Sequence, residues 1–506
     1  MSMGGAFTAL GGDLSTLGQN PAGVGVYRNS EIGATLNIDI QSAKAQSDIA
    51  TTTTDQTKVT CSNVGYVGTM YLGPGAAMKY FNWGISYGRV TSFNRAYRGV
   101  AGANTSLSNY VAGYTAAEGW TPYELSDYRV GYNPYIDSYA PWMSILMYNS
   151  YGINSSSAEA TDYKGLYNGT AGEAKFDVVE KGYIDEFNID FGGNVNDLVY
   201  WGLGFNINNV EYSNSTYYTE TFANATISSP DAMSRTNGAA SYGLESWRRI
   251  YGTGFKFKFG VIVKPINEFR IGFAFHTPTY YKLNYNGWAQ STFAYVYPDP
   301  KQDPLAGVYP SGTDSRRTDD YFAWRLQSPW RLMVGASAVL FQRAIVSADY
   351  EYRRYSSMRV KDAGGTEYRD VTSDINLYYK GQNILRLGAE FRLTSQFSIR
   401  AGYSLETCPV QAVAKDGDLP AYTSGPDDTQ TQPSYTFDNT TRYITAGLGW
   451  HYKNFYIDFA YVNKQRKTDW HAFTNFFDSK DQWTYAPMAQ ITNHDNQIVL
   501  SAGFKF

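Results

Sequence analysis

Few side chains in this chain could make or break bonds. The four histidines (His276, His451, His471, His494) and two cysteines (Cys61, Cys408) are scattered through 506 residues, and no CxxC, HExxH or HxH spacing gathers them. A metal site is not expected and a disulfide framework is excluded, although a single Cys61–Cys408 bridge stays open. There is no GxSxG, and no Ser or Asp can be set beside a histidine by spacing, so an enzyme is not expected and no cofactor is called for. What recurs instead is charge at alternate positions: Lys256 and Lys258, Asp349 and Glu351, Arg386, Glu390 and Arg392, Arg400, Asp458. Such groups can neutralise one another along a wall, or a guanidinium can hold a carboxylate through two parallel bonds.

Strands must position these charges, because the alternation has a period of two. In "ILRLGAEFRL", Leu385, Leu387, Ala389, Phe391 and Leu393 share one face while Arg386, Gly388, Glu390 and Arg392 share the other. "QFSIRAGYSL", "GFKFKFGVIV", "EFRIGFAFH", "VYWGLGFNIN", "NFYIDFAYV" and the terminal "NQIVLSAGFKF" repeat the pattern. Aromatic residues reach 16% of the chain against 17% charged, with 45 tyrosines, and aromatics favour strands and membrane interfaces. Mean hydropathy is only −0.40 and no apolar run is long enough for a membrane-spanning helix. An all-β soluble protein or a transmembrane β-barrel remains. A net charge of −4 with no Lys/Arg cluster gives no reason to expect nucleic acid.

Connection lengths favour the barrel. Strands are expected at 31–42, 61–72, 77–90, 175–193, 198–213, 250–264, 268–284, 321–341, 343–356, 383–394, 396–407, 440–453, 454–464 and 496–506, fourteen in all. Tight connections such as "GPGA", "KPINE", Gln342, "TS" and Lys453–Asn454 alternate with long ones, the longest about 91–172. Outer-membrane barrels separate short periplasmic turns from long outer loops in this way, which puts both termini at the short-turn rim. A last strand carrying Ile498, Leu500, Ala502, Phe504 and Phe506 on one face is similar to the C-terminal signal of such barrels.

The lumen of fourteen strands is too wide for its own side chains to fill, so something should occupy it. The Gly-rich opening, "MGGAFTALGGDLSTLGQNPAGVG", could do so without a core of its own. It resembles the N-terminal hatch of the FadL/TodX family of outer-membrane transporters, matching at Met3 to Ala6 (Gly4, Gly5), at Asp13 with Ser15, and at Asn20, Pro21, Ala22 and Gly23; Ser2 stands where the family has a first glycine. "SFNRAYRG" is similar to Bacteroidetes members of the family. The resemblance implies a hatch over residues 1–30 and an all-β, fourteen-stranded antiparallel barrel over 31–506. It also implies a bacterial outer-membrane location with periplasmic termini, and an exported chain shown in its mature form. The function it implies is passage of small hydrophobic compounds such as long-chain fatty acids, with hatch-gated release sideways into membrane lipid. Gly84 and Gly88 are then the candidate kink of the third strand, and Arg386, Glu390, Arg392 and Arg400 the candidate lumen contacts to ligand or hatch. The alternative is a non-transporting accessory subunit of an outer-membrane complex. It would grip other proteins or glycans through its outer wall or the Tyr-rich loop Ser108–Gly152.

Overall fold

The computed structural model describes residues 2–126, 130–228, 235–296, 312–415, 431–477 and 483–506. Fourteen strands close into an antiparallel barrel. They are β1 (Glu31–Gln46), β2 (Thr51–Tyr71), β3 (Met78–Ser92 with Arg95–Ala103), β4 (Gly172–Val195), β5 (Val199–Ser228), β6 (Arg235–Ile266), β7 (Phe269–His276 with Tyr280–Val296), β8 (Gly312–Gln327 with Arg331–Leu340), β9 (Ala344–Arg354 with Arg359–Asp362), β10 (Gly381–Arg392), β11 (Phe397–Glu406), β12 (Tyr435–Tyr452), β13 (Phe455–His471) and β14 (Met488–Lys505). Each pairs with its sequence neighbour, and β1 closes on β14 from Glu31 opposite Lys505 to Gln46 opposite Gln490.

The period-two pattern explains which face is which. Ile32, Leu36, Ile38 and Ile40 on β1, Phe255, Phe257 and Phe259 on β6, Leu385 and Leu387 on β10 and Leu500 on β14 are exposed on the outside, whereas Lys256, Lys258, Asp349 and Glu351 are buried within. Aromatic pairs such as Tyr66–Trp83, Tyr71–Tyr80 and Trp450–Tyr452 ring the short-turn rim, the place of an interfacial belt. An apolar outer band over a charged interior defines a transmembrane barrel; among the described residues no helix is long and apolar enough to span.

All fourteen expected strands are present, but their far ends run longer than expected. β5 and β6 continue to Ser228 and from Arg235, and β1 and β2 meet through the four residues 47–50. Much of what reads as loop is therefore wall. Above the membrane both faces of a strand meet water or protein, so the apolar alternation that marks a lipid-facing strand disappears. Four strands are interrupted: β3 at Phe93–Asn94, β9 at Tyr355–Met358, and β7 at Thr277–Thr279 and β8 at Ser328–Trp330, where Pro278 and Pro329 cannot donate to the ladder.

The expected loop 91–172 is likewise structured. Arg95–Ala103 completes β3, and four helices follow, α1 (Leu107–Glu118), α2 (Pro122–Leu125), α3 (Pro134–Asp137) and α4 (Trp142–Asn149). Their buried Leu107, Val111, Met143, Ile145, Leu146 and Met147 pack on inward side chains of the tall wall, including Phe176, Phe222, Tyr242, Phe293 and Trp470. This apolar cap fills the long-loop end of the barrel. Cys61 and Cys408 are both free.

Candidate functional site: the lumen and the seam between β2 and β3

The N-terminal segment folds through tight local turns. Asp13 accepts from Ser15 N at 2.8 Å and opens the short helix Leu14–Thr16; Asn20 Oδ1 accepts from Ala22 N at 3.0 Å and opens Pro21–Val26, with Pro21 at its first position. Gly4 and Gly5 hold φ of 63° and 80°, the left-handed region closed to most side chains. Gly23 does not share that conformation, and its need is for space: a Cβ there would sit 2.6 Å from Thr16 Oγ1.

A collar of wall glycines receives this segment. Gly33, Gly65, Gly84, Gly192, Gly202, Gly260, Gly272, Gly335, Gly388, Gly402 and Gly447 come from eleven strands, and a Cβ on any of them would press on a residue between Ser2 and Gly25. Many face one another across the ladder, as Gly33 does Gly65 and Gly202 does Gly260. The segment's main chain is then tied to wall side chains. Thr8 N donates to Asp349 Oδ2 at 2.7 Å, Arg270 Nη1 to Leu10 O at 2.6 Å, and Asn82 Nδ2 to Val24 O at 2.7 Å. Lys258, fully buried beside Asp190 at 3.3 Å, donates to Leu17 O, and His276 Nε2 lies 2.8 Å from Gln19 O. The sequence carried a signal for this contact, an inward glycine on each of eleven strands. An isolated strand glycine reads as a bulge, however, and only the register aligns them into a ring.

Beyond the segment the lumen is open. One cavity of about 910 Å³ begins at Gly4 and Gly5 and is walled by charge, including Asp39, Lys58, Arg89, Arg331, Arg353, Arg386 and Asp495. A second, of about 310 Å³, lies against Met3, Phe7, Asp13 and Leu14. Both reach the same stretch of wall: Ser62, Arg89 and Val90 line each of them. There the barrel is parted. The β2–β3 ladder runs from Tyr71 opposite Tyr80 only to Asn63 opposite Gly88, and Thr51–Ser62 of β2 pairs with β1 alone. The edges meet again higher up through side chains, Ser47 Oγ to Val100 O at 2.5 Å and Thr52 to Arg98 O, while Lys58 Nζ donates to Asn94 Oδ1 at 2.7 Å across the gap. Thr57, Val59 and Cys61 on the open edge stand opposite Ile40, Ile38 and Leu36, so the seam lies at the depth of the apolar band.

The expected site residues are thus dispersed among several roles. Gly88 is the last residue of β3 paired with β2, whereas Gly84 sits inside that ladder with Leu17 Cδ2 3.2 Å from the position of its missing Cβ. The kink itself falls later than expected, at a bulge between Arg89 and Thr91 and at the break Phe93–Asn94, where Phe93 N bonds Gly182 O at 3.0 Å. Arg400 is held by Glu390 and Asp458, both at 2.5 Å, beside the smaller cavity. Arg386 faces the larger one and bonds Glu351. Arg392 lies exposed next to the β10–β11 turn and lines neither cavity, because the strand has already reached the short-turn rim. Among the described residues no cluster of His, Cys, Asp and Glu could hold a metal.

The closed fourteen-stranded barrel has solved counterparts. A FadL homologue of Pseudomonas aeruginosa matches over all of this chain and 96% of its own at 14% identity, with a TM-score of 0.53. The toluene transporters TodX of P. putida and TbuX of Ralstonia pickettii match over all of this chain and 97% of theirs, at 12% and 13% identity and TM-scores of 0.48 and 0.46. The first of these likenesses gives this chain the fold of a FadL-type barrel. No protein-family model matches the sequence, and no curated protein matches it.

Proposed function

We propose that this protein is an outer-membrane channel through which an amphipathic compound, such as a long-chain fatty acid, enters from outside and leaves sideways into lipid between β2 and β3. The observation that carries the reading is the seam. Two internal cavities converge on strand edges that lack a ladder at the depth of the apolar band, directly above a segment that occupies the lumen. A hydrophobic tail gains by leaving water for lipid, and a side exit lets it do so without crossing a wet pore. The cavity lining sharpens the class of solute. A pure hydrocarbon would displace water from charged groups and return no hydrogen bonds, whereas an anionic head group satisfies them. Residues 1–30 act as the hatch: they seal the lumen and, held largely through main-chain bonds and bare glycine contacts, can shift by unpacking only two small apolar clusters.

The test compares wild type with a deletion of residues 3–23 in proteoliposomes, following uptake of a long-chain fatty acid, a small aromatic compound and a polar solute of similar size. Selective uptake of the amphiphile by wild type, replaced by non-selective leakage in the deletion, is the expected result. A wild type that takes up neither apolar probe overturns the reading. The accessory-subunit alternative would then lead, since the cap presents Tyr123, Val130, Ile136 and Tyr139 at 61%, 106%, 78% and 94% exposure to a partner.

A further inference from the structure

Resting on the reading of the lumen as a ligand path, we propose that the floor of the larger cavity is a binding site for a tetrahedral oxyanion of the phosphate class, held by Arg331, Arg353 and Arg386. The three arginines come from the adjacent strands β8, β9 and β10, Arg331 directly opposite Arg353 in the ladder. All converge on one carboxylate. Glu351 Oε1 accepts from Arg331 Nε at 2.7 Å and from Arg353 Nε at 2.6 Å, and Oε2 accepts from Arg386 Nη2 at 2.7 Å. The Glu351 side chain is fully buried, while the side chains of Arg331, Arg353 and Arg386 keep 21%, 24% and 12% exposure and line the cavity.

Three permanent cations on one carboxylate leave charge and donors unspent. Glu351 is the one acceptor bonded to any of them among the described residues, and Arg386 Nη1 is buried without a partner. Two neighbouring acids act on the cluster only through space: Asp349 on Arg386, its hydrogen bonds coming from Thr8 N and Gln19 Nε2, and Glu406 on Arg353, with no ion pair formed; Glu186 is bonded to Lys256. Elsewhere in the lumen the balance is the reverse, with Arg400 alone between Glu390 and Asp458. A guanidinium cannot shed its proton to relieve such an excess, so an anion is its remaining partner. A planar carboxylate offers two oxygens in one plane, whereas forks arriving from three strands suit an oxyanion with oxygens in several directions. Gly4 and Gly5 line the same cavity; a Cβ on Gly5 would stand 3.2 Å from Arg386 Cδ, so bare backbone keeps room for the ligand. The same chemistry is offered by free phosphate and by the phosphate head of a lipid-like molecule.

Calorimetric titration of the full chain in detergent tests the site, with inorganic phosphate, dodecyl phosphate and dodecanoate as probes. Saturable one-to-one phosphate binding is expected, weakened at least about tenfold, or roughly 1.4 kcal/mol, by Arg353→Gln. Arg400→Gln, at the acid-rich site, should leave it unchanged. Arg353→Lys, which keeps the charge and loses the fork, guards against misfolding and should also weaken binding; heat-dependent gel mobility reports whether each barrel is intact. Displacement of phosphate by dodecyl phosphate at much lower concentration assigns the site to a lipid-like head group, and equal potency assigns it to the free anion. The proposal is overturned if phosphate shows no saturable binding, if Arg353→Gln and Arg400→Gln weaken it alike, or if dodecanoate displaces it as well as dodecyl phosphate does. Phosphate binding without amphiphile uptake would defeat the channel reading and leave this site standing; uptake without phosphate binding would do the opposite.

Discussion

The two ends of the lumen are filled in opposite ways. At the long-loop end, helices α1 and α4 are fixed by an apolar core in which Trp470 stacks on Phe176 with ring centroids 3.8 Å apart. At the short-turn end, the N-terminal segment packs in two small apolar clusters, Leu14, Leu17, Val24 and Tyr27 with Val67, and Ala22 with Tyr200 and Ile262, and otherwise meets the wall through glycines and main-chain hydrogen bonds. An interdigitated apolar core resists displacement, since moving it opens cavities. Polar bonds to main chain can be exchanged for water at modest net cost. The difference is what the proposed function requires: the cap should be the fixed part and the N-terminal segment the one that moves.

The largest effect should come from spoiling the collar. In Gly260→Val the new side chain would overlap Asn20, so the segment should unseat and liposomes should leak a polar solute while gel mobility shows a folded barrel. A sealed liposome would break the comparison. Next is Trp470→Ala, which should cost about 3–5 kcal/mol in the cap. Protease sensitivity or hydrogen exchange over 104–149 should rise without any leak, because the seal lies at the other end.

A smaller effect is expected from Glu220, on the part of β5 far above the apolar band. Its carboxylate receives Leu107 N at 2.8 Å and Tyr218 OH at 2.7 Å, as well as the Ser106 hydroxyl, at the start of α1. Burial, only partly offset by these bonds, pushes its pKa from 4.5 up to about 7. A folded-state value above the unfolded one means that this stabilisation is complete below pH 4.5 and is lost as pH rises through 7. Thermal unfolding of the cap should therefore fall between pH 5 and pH 8 in wild type, and that slope should flatten in Glu220→Gln. The smallest effect belongs to the exposed Arg249–Glu211 pair, where Arg249→Ala should change stability by less than about 1 kcal/mol.

Strand number and facing were readable because lipid enforces them. Leu385, Leu387 and Phe391 alternate with Arg386 and Glu390 because one face of the strand is turned outward to hydrocarbon and the other to the lumen. The tops of β5 and β6 and the four cap helices were not readable, since outside the membrane that constraint lapses and Tyr-rich stretches suit loop, strand or helix alike. Arg386 was found from alternation, but its partners Arg331 and Arg353 were not. Those two are end or near-end residues of strand pieces interrupted at Pro329 and Tyr355–Met358, where periodicity stops. A kink is expected at Gly84 and Gly88 from propensity, whereas the strand is interrupted at Phe93 and Asn94, of which only Asn94 is of a type disfavoured in strands.

The seam itself can be closed and reopened. In a background of Cys61→Ser and Cys408→Ser, cysteines at Thr60→Cys on β2 and Ser92→Cys on β3 would be bridged by a reducible bifunctional thiol reagent, and bridging scored by mass. The account expects long-chain fatty acid uptake into proteoliposomes to stop on bridging and to return on reduction, with polar leakage unchanged throughout. Uptake that continues at the same rate with the bridge complete would contradict it.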